Sequence, residues 1–367
     1  MAKILISGYY GFDNAGDDSV LYGIISSLKK RDPSIQFSVL SSHPEKTINT
    51  FGVSAYNRWN FAVVLKQLRK HDLLVMGGGS LLQDATSPRS VFYYLGIVLG
   101  AKFFRKPVVF YAQGVGPITK TISQKLIRSI VNRVDVITVR DHGSAEDFKS
   151  LGVTNAPVVV TADPAVTIPA ADIDLTSGHD HLQRMGLHKE KTIAISVRDW
   201  KKEHRFKKQI AEVADHFAEK GYDILFVPMQ FPADVSSSKD IITHMRHSAY
   251  IIEEQLDFRT IMSLLGNVQM VAGMRLHSLI FAAVMNVPFV GISYDPKINR
   301  FVERVNMNSA GHIKQLDTMV LIDQIADTLA DRSAYQKRLK EAMTTIIQEA
   351  DKSSELTLQQ LHDDKKQ

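Results

Sequence analysis

The chain reads as an α/β protein built of two facing doubly wound, Rossmann-like domains, a glycosyltransferase-B-like arrangement. Three observations carry this. Short apolar runs alternate with longer amphipathic stretches along the whole chain, the pattern of strand–turn–helix units on a buried parallel sheet. The units fall into two sets, and 367 residues are too many for one ordinary core. The apolar runs also end repeatedly on glycines or charged residues, where open α/β sheets present their ligand-contacting loops. The resulting division is a first domain over 1–168, a connection over 169–190, a second domain over 191–330, and a helix with a polar tail over 331–367.

Composition narrows the function classes. With 44% hydrophobic and 23% charged residues, the chain is of ordinary globular type. It has no cysteine, which excludes disulfides and thiolate metal sites and suits a reducing cytoplasm. The N-terminus enters a strand directly, so no signal peptide is expected. The longest apolar run, 91–101, is well short of the roughly 20 residues that span a bilayer. A formal charge of +5 suits anionic substrates or an anionic membrane surface. No nucleic-acid-binding signature is present.

In the first domain, 3–7 is the opening strand, and a turn carrying Gly8, Gly11, Asp13, Asn14 and Gly16 leads into a helix over about 17–30. The glycine spacing is not that of a dinucleotide fingerprint, and the next strand, 36–41, ends without a carboxylate for a ribose. The glycines let the backbone approach another polar ligand. Asp13 and Asn14 suit either helix capping or a ligand role. Strand 73–76 opens on Gly77, Gly78 and Gly79 before a helix, which fits an N–H cradle or a tight helix–sheet junction. Strand 108–112 ends on Gln113, strand 136–139 on Arg140 and Asp141, and strand 158–161 on Asp163. The connection holds His179, His181 and His188, but no third ligand has the spacing of a metal site.

In the second domain, strand 192–197 ends on Arg198-Asp199-Trp200, and a basic cluster follows. The central stretch is 268–297. It reads as a strand over 268–272, a turn at Gly273, a helix over about 274–286 and a strand over 287–294 that ends at Asp295-Pro296-Lys297. Arg275 and His277 fall in the first helical turn, where free N–H groups and the helix dipole attract anions. A guanidinium adds a two-pronged grip on carboxylate or phosphate.

Together, Gly8-Tyr-Tyr-Gly11 with Asn14 and Gly16-Asp17, Gly77-Gly78-Gly79, Gln113-Gly114, Val139-Arg140-Asp141, Asp163-Pro164 and Arg275-Leu276-His277 resemble the polysaccharide pyruvyl transferase family over about 3–315. Ser80, after the three glycines, departs mildly from the pattern. The likeness within the family is to the CsaB type, which places a pyruvate ketal on N-acetylmannosamine of a secondary cell-wall polymer that anchors S-layer proteins. The resemblance implies phosphoenolpyruvate as donor, no cofactor and no metal. It implies a lipid-linked, undecaprenyl diphosphate-type disaccharide as acceptor, and contact with the inner membrane face. Arg140, Arg275, Leu276, His277 and Lys297 would hold the donor, with Asp13 and His277 as the proton-transfer pair. Gly11, Asn14, Gly77, Gly78, Gly79 and Gln113 would line the acceptor side. The rival of the same shape is a nucleotide-sugar glycosyltransferase, with Glu253 or Glu254 set against the donor ribose. The run 91–104, flanked by Lys102, Arg105 and Lys106, suits either a buried helix or interfacial contact.

Overall fold

The computed structural model describes residues 1–84, 88–201 and 203–363. The chain divides into two compact units. One comprises 1–12, 17–168 and 346–367, and the other 13–16 and 169–345.

The first unit is a parallel sheet of β1 (Lys3–Ser7), β2 (Gln36–Ser41), β3 (Ser54–Asn57), β4 (Leu73–Met76), β5 (Gly79–Leu82), β6 (Val108–Val115), β7 (Val136–Val139) and β8 (Val158–Val160). The order is β3-β2-β1-β4-β6-β7-β8, with β5 paired to β6. Because side chains alternate across a strand, each strand feeds two cores. Leu5, Leu74, Met76, Val108 and Phe110 pack on one face. Ile4, Ile6, Leu73, Val75, Val109 and Tyr111 pack on the other. The order reverses between β1 and β4, which makes their carboxyl ends the switch point of this unit.

The three glycines do not open a helix. Gly79 begins β5, which runs beside β6 in the register Gly79↔Gln113, and the helix that follows is described over Pro88–Phe103. The C-terminal helix extends through most of the segment expected as a polar tail, and it reaches the first unit, as expected for a helix that crosses back. It runs Arg332–Asp363, and residues from 346 onward pack in the first unit. The polar composition misleads because the hydroxyls satisfy one another. Ser353 Oγ lies within hydrogen-bond distance of Thr138 Oγ1 at 2.9 Å and of Thr161 Oγ1 at 2.8 Å, and Thr357 Oγ1 donates to the Ser353 carbonyl.

The second unit is a parallel sheet of β9 (Thr192–Ser196), β10 (Asp223–Phe226), β11 (Tyr250–Ile251), β12 (Met270–Gly273), β13 (Phe289–Ser293) and β14 (Asn308–His312), in the order β11-β10-β9-β12-β13-β14. Its switch point lies between β9 and β12. The segment read as a connection is in fact part of this unit's core. Helix Leu175–Arg184 is capped by Asp174 and lies against helix Phe258–Gly266. Gly178 permits the approach, since its N–H donates to Ser263 Oγ at 2.7 Å and a side chain there would overlap the Ser263–Leu264 backbone.

Asp215, buried in helix Arg205–Glu219, accepts hydrogen bonds from the Arg246 and His247 backbone N–H groups at 2.9 Å. Burial alone would raise its carboxyl, but these donors more than offset that and hold it below the usual carboxylate value. A depressed folded-state value stabilises the fold above the unfolded-state value of about 4, and that contribution fades as pH falls through the folded-state value. Asp215→Ala strands those donors and is expected to destabilise the protein by about 2 kcal/mol at neutral pH. The deficit shrinks in acid, and urea unfolding at the two pH values checks it.

No helix among the described residues is long and apolar enough to cross a membrane.

Candidate active site

The second unit gathers its chemistry at its switch point. Gly273 on β12 lies beside Ser196 on β9, so Arg275 and Arg198 leave neighbouring strand ends two residues later. Tyr294 and Lys297 follow β13, the next strand along. Arg198 Nη1 donates to the Tyr294 hydroxyl at 3.1 Å, and the Arg198 guanidinium lies 5.0 Å from that ring. Lys297 Nζ is 5.3 Å from the same ring, and the Trp200 ring is 4.6 Å from it, tilted. Burial pushes the Tyr294 phenol up. Lys297, Arg198 and Arg275 outweigh that and leave it below its usual value. Arg198, Arg275 and Lys297 thus follow three adjacent strands, with Asp295 3.9 Å from Lys297 as a counter-charge, and a strand-end group rich in cations suits an anion.

Arg275 is the N-cap of helix Leu276–Val284, with extended backbone, rather than a residue of its first turn. Its Nε and Nη2 donate to the buried Asp234 carboxylate, Nε at 2.9 Å, and Nη2 also reaches Gln230 Oε1 at 3.1 Å. Asp234 is itself fixed by the Met229 and Gln230 N–H groups at 3.1 and 3.0 Å. One edge of the guanidinium is therefore clamped, and Nη1 is left for an incoming anion among the described residues. Asp234→Ala is expected to destabilise this unit by about 3 kcal/mol, because it leaves the arginine uncompensated. Asp234→Asn should cost less, and thermal unfolding of the two variants checks this. Lys297 sits in the first turn of helix Pro296–Arg304, its N–H held by Asp295 at 3.1 Å.

Residues 13–16 belong with this cluster, although the sequence places Asp13 and Asn14 on the acceptor side of the first domain. Asn14 forms an antiparallel bridge with Gln230. Ala15 N–H donates to the Met229 carbonyl at 3.0 Å, and Phe231 N–H to the Asp13 carbonyl at 3.3 Å. Asp13 takes a left-handed backbone, φ 56°, and Asn14 Oδ1 accepts the Gly16 N–H at 3.0 Å. The His277 imidazole lies against Gly16, where any side chain would overlap Nδ1. The structure therefore brings Asp13, Asn14, Arg275, Leu276, His277 and Lys297 into one unit.

The remaining residues lie in the first unit. Gly77 and Gly8 enclose the Tyr10 ring, and Gly78 touches Val20, so packing accounts for these glycines. Gly79, φ 94°, faces Asp17. Gly11, φ 80°, lies against Ser41, Ser42 and His43. Gln113 Nε2 donates to the Met76 carbonyl at 3.0 Å. The Tyr10 phenol is raised well above its usual value by burial first and Asp17 second, so it remains protonated at neutral pH. Arg140 is enclosed. Nη1 lies 3.4 Å from Asp163, Nε 3.6 Å from Asp141 and Nη2 3.2 Å from Ser80.

Sequence reasoning missed Asp234, Gln230, Arg198 and Tyr294 as members of the site. Arg198 and Gln230 did stand at strand ends, which is the one local signal available.

The polysaccharide pyruvyl transferase family model matches residues 14–296. The chain belongs to that family. It is a pyruvyltransferase of polysaccharide biosynthesis. It is 24% identical over 355 aligned positions to the amylovoran biosynthesis protein AmsJ of Erwinia amylovora, covering 80% of this chain and 84% of that protein. Among solved structures it is similar to Anabaena HepE in complex with UDP-glucose, with a TM-score of 0.70, 13% identity and 99% of both chains covered. It is also similar to the Neisseria meningitidis UDP-GlcNAc 2-epimerase bound to UDP-GlcNAc, with a TM-score of 0.64, 13% identity, and 98% and 99% covered. At such identities the likeness shows the glycosyltransferase-B-like α/β fold and nothing of the chemistry.

Proposed function

We propose that this pyruvyltransferase uses phosphoenolpyruvate as donor, needs no cofactor or metal, and forms a pyruvate ketal on a sugar of a lipid-linked disaccharide. We place it with the CsaB type. The sugar is then N-acetylmannosamine of a secondary cell-wall polymer precursor on an undecaprenyl diphosphate-type carrier, made at the cytoplasmic membrane face, and the product supports S-layer anchoring. The observation that carries the donor reading is the guanidinium of Arg275, held on one edge by Asp234 and Gln230, with Arg198 and Lys297 at the Tyr294 ring on adjacent strand ends, in the unit that also holds His277 and Asp13. Phosphoenolpyruvate presents a carboxylate and a phosphate, and three cations match them.

In the first step C3 of the enol gains a proton while one sugar hydroxyl attacks C2. In the second, another hydroxyl of the same sugar attacks that carbon and phosphate departs. His277 is assigned to proton delivery, because an imidazole ring nitrogen can carry a proton and give it up. Asp13 is assigned as the base toward the hydroxyls, with Asn14 orienting the acceptor. Leu276 begins the helix that presents the anion site. The sequence expectation also puts Arg140 on the donor. Its charge is matched by Asp141 and Asp163 within its own unit, so we propose that it positions the β5 and β7 ends. Gly11, Gly79 and Gln113 are left to the acceptor, and Gly77 and Gly78 to packing.

For the nucleotide-sugar rival, Glu253 is already engaged by Lys239 at 2.7 Å, and Glu254 lies 3.4 Å from His181. Thermal shift separates the readings. Phosphoenolpyruvate is expected to raise the melting temperature and UDP-sugars to leave it unchanged, and the reverse would favour the rival. Arg198→Ala is expected to raise KM for phosphoenolpyruvate about tenfold with a smaller change in kcat, since it removes a binding cation rather than a proton-transfer group.

A further inference from the structure

The first unit carries an apolar face that is exposed among the described residues. Helix Pro88–Phe103 buries Val91, Tyr94, Leu95 and Val98 in the core. A second, flanking face presents Phe92, Leu99 and Phe103 to solvent, the last 81% exposed. These residues are spaced as one stripe along a helix. Helix Phe61–Lys70 lies beside it, with Leu65 and Leu68 against Gly100. At its start stand Trp59 and Phe61, 63% and 69% exposed, and the Trp59 ring is 5.7 Å from Tyr93. Several large apolar side chains this exposed on two adjacent helices mark an interaction surface.

The charge around the face is one-sided. Residues 58–106 contain eight Lys and Arg against two Asp; Arg58 is buried and Lys102 is paired with Asp135, which leaves six other bases. Both acids are engaged elsewhere. Asp72 accepts the Lys3 N–H at 2.7 Å, and Asp84 holds the Thr119 and Lys120 N–H groups. The bases include exposed Lys66, Arg69, Lys70, Arg89 and Arg105. Both helices lack acidic residues altogether.

We propose that this face docks on an anionic lipid bilayer, with Phe92, Leu99, Phe103, Trp59 and Phe61 entering the headgroup–acyl boundary and the surrounding bases neutralising lipid phosphates. An apolar stripe with aromatics inside a basic border is what such interfaces require, and a bare protein partner would not call for the net positive charge. The helix lies in the interface plane and does not span it. The inference is independent of the donor and of the sugar.

Sedimentation of the full chain with vesicles of phosphatidylglycerol and phosphatidylcholine, against vesicles of phosphatidylcholine alone, tests it. Binding is expected to the anionic vesicles, to weaken with added salt, and to fall about tenfold or more in Leu99→Glu/Phe103→Glu. These side chains are exposed, so circular dichroism should show the fold unchanged. The Arg69→Glu/Arg105→Glu variant, which leaves the apolar stripe intact, should lose the preference for anionic lipid. Trp59 emission, isolated in a Trp200→Phe background, should shift to the blue on anionic vesicles. Binding that is absent, or equal in the stripe variant and the parent, overturns the proposal. A dimer in solution that Leu99→Glu/Phe103→Glu dissociates, without vesicle binding, would assign the face to a second copy of the chain.

Discussion

Arg275→Lys is expected to lower kcat/KM for phosphoenolpyruvate by about a hundredfold while the protein stays folded, because lysine keeps the charge and loses the fork. The geometry gives the reason. The arginine uses one edge, Nε and Nη2, on Asp234 and Gln230. Its remaining nitrogen is thereby aimed, and an ammonium on a flexible stem cannot hold Asp234 and a ligand in the same orientation. Arg275→Ala is a poorer test, since it strands a buried carboxylate and would mix loss of fold with loss of function. Steady-state kinetics with urea unfolding separates the two. An unchanged kcat/KM in Arg275→Lys would remove Arg275 from the donor site.

Gly16→Ala is expected to reduce turnover by about a hundredfold, a cost typical of misplacing a catalytic group by a fraction of its own size. The position begins helix Ala15–Arg31, where alanine alone would favour the helix. The nearest obstacle is the His277 ring, which would meet the new methyl at Nδ1. A purely structural glycine predicts a different outcome. Gly16→Ala/His277→Ala should then regain both stability and activity, whereas the assignment of His277 to proton transfer predicts regained stability without activity.

These two predictions mark what the sequence could show. Alternation of apolar runs with amphipathic helices revealed two doubly wound units, because each strand is buried on both faces and each crossover must be a helix. Arg275-Leu276-His277 was visible because a strand, a glycine and a helix start lie within a few residues of one another. The partners of that motif were not visible. Asp234 is 41 residues from Arg275, and Tyr294 is 96 residues from Arg198, so only folding makes them neighbours. The bridge from Asn14 to Gln230 moved Asp13 from the unit in which it is encoded to the one in which it packs. Gly77 and Gly78 looked like an anion cradle because glycine marks close approach without saying to what. Here the approaching groups are Tyr10 and Val20. Helix Pro88–Phe103 was legible as apolar, but its two faces, one in the core and one in solvent, appear only once the chain is folded.

The central claim is ketal formation from phosphoenolpyruvate. Its most direct test is phosphate release from phosphoenolpyruvate in the presence of a synthetic lipid-diphosphate disaccharide of N-acetylmannosamine and N-acetylglucosamine, with mass analysis of the acceptor. The account predicts one phosphate released per acceptor consumed, and a product heavier by one pyruvate less one water. No phosphate release with this or any other sugar acceptor, alongside turnover of a UDP-sugar, would contradict it.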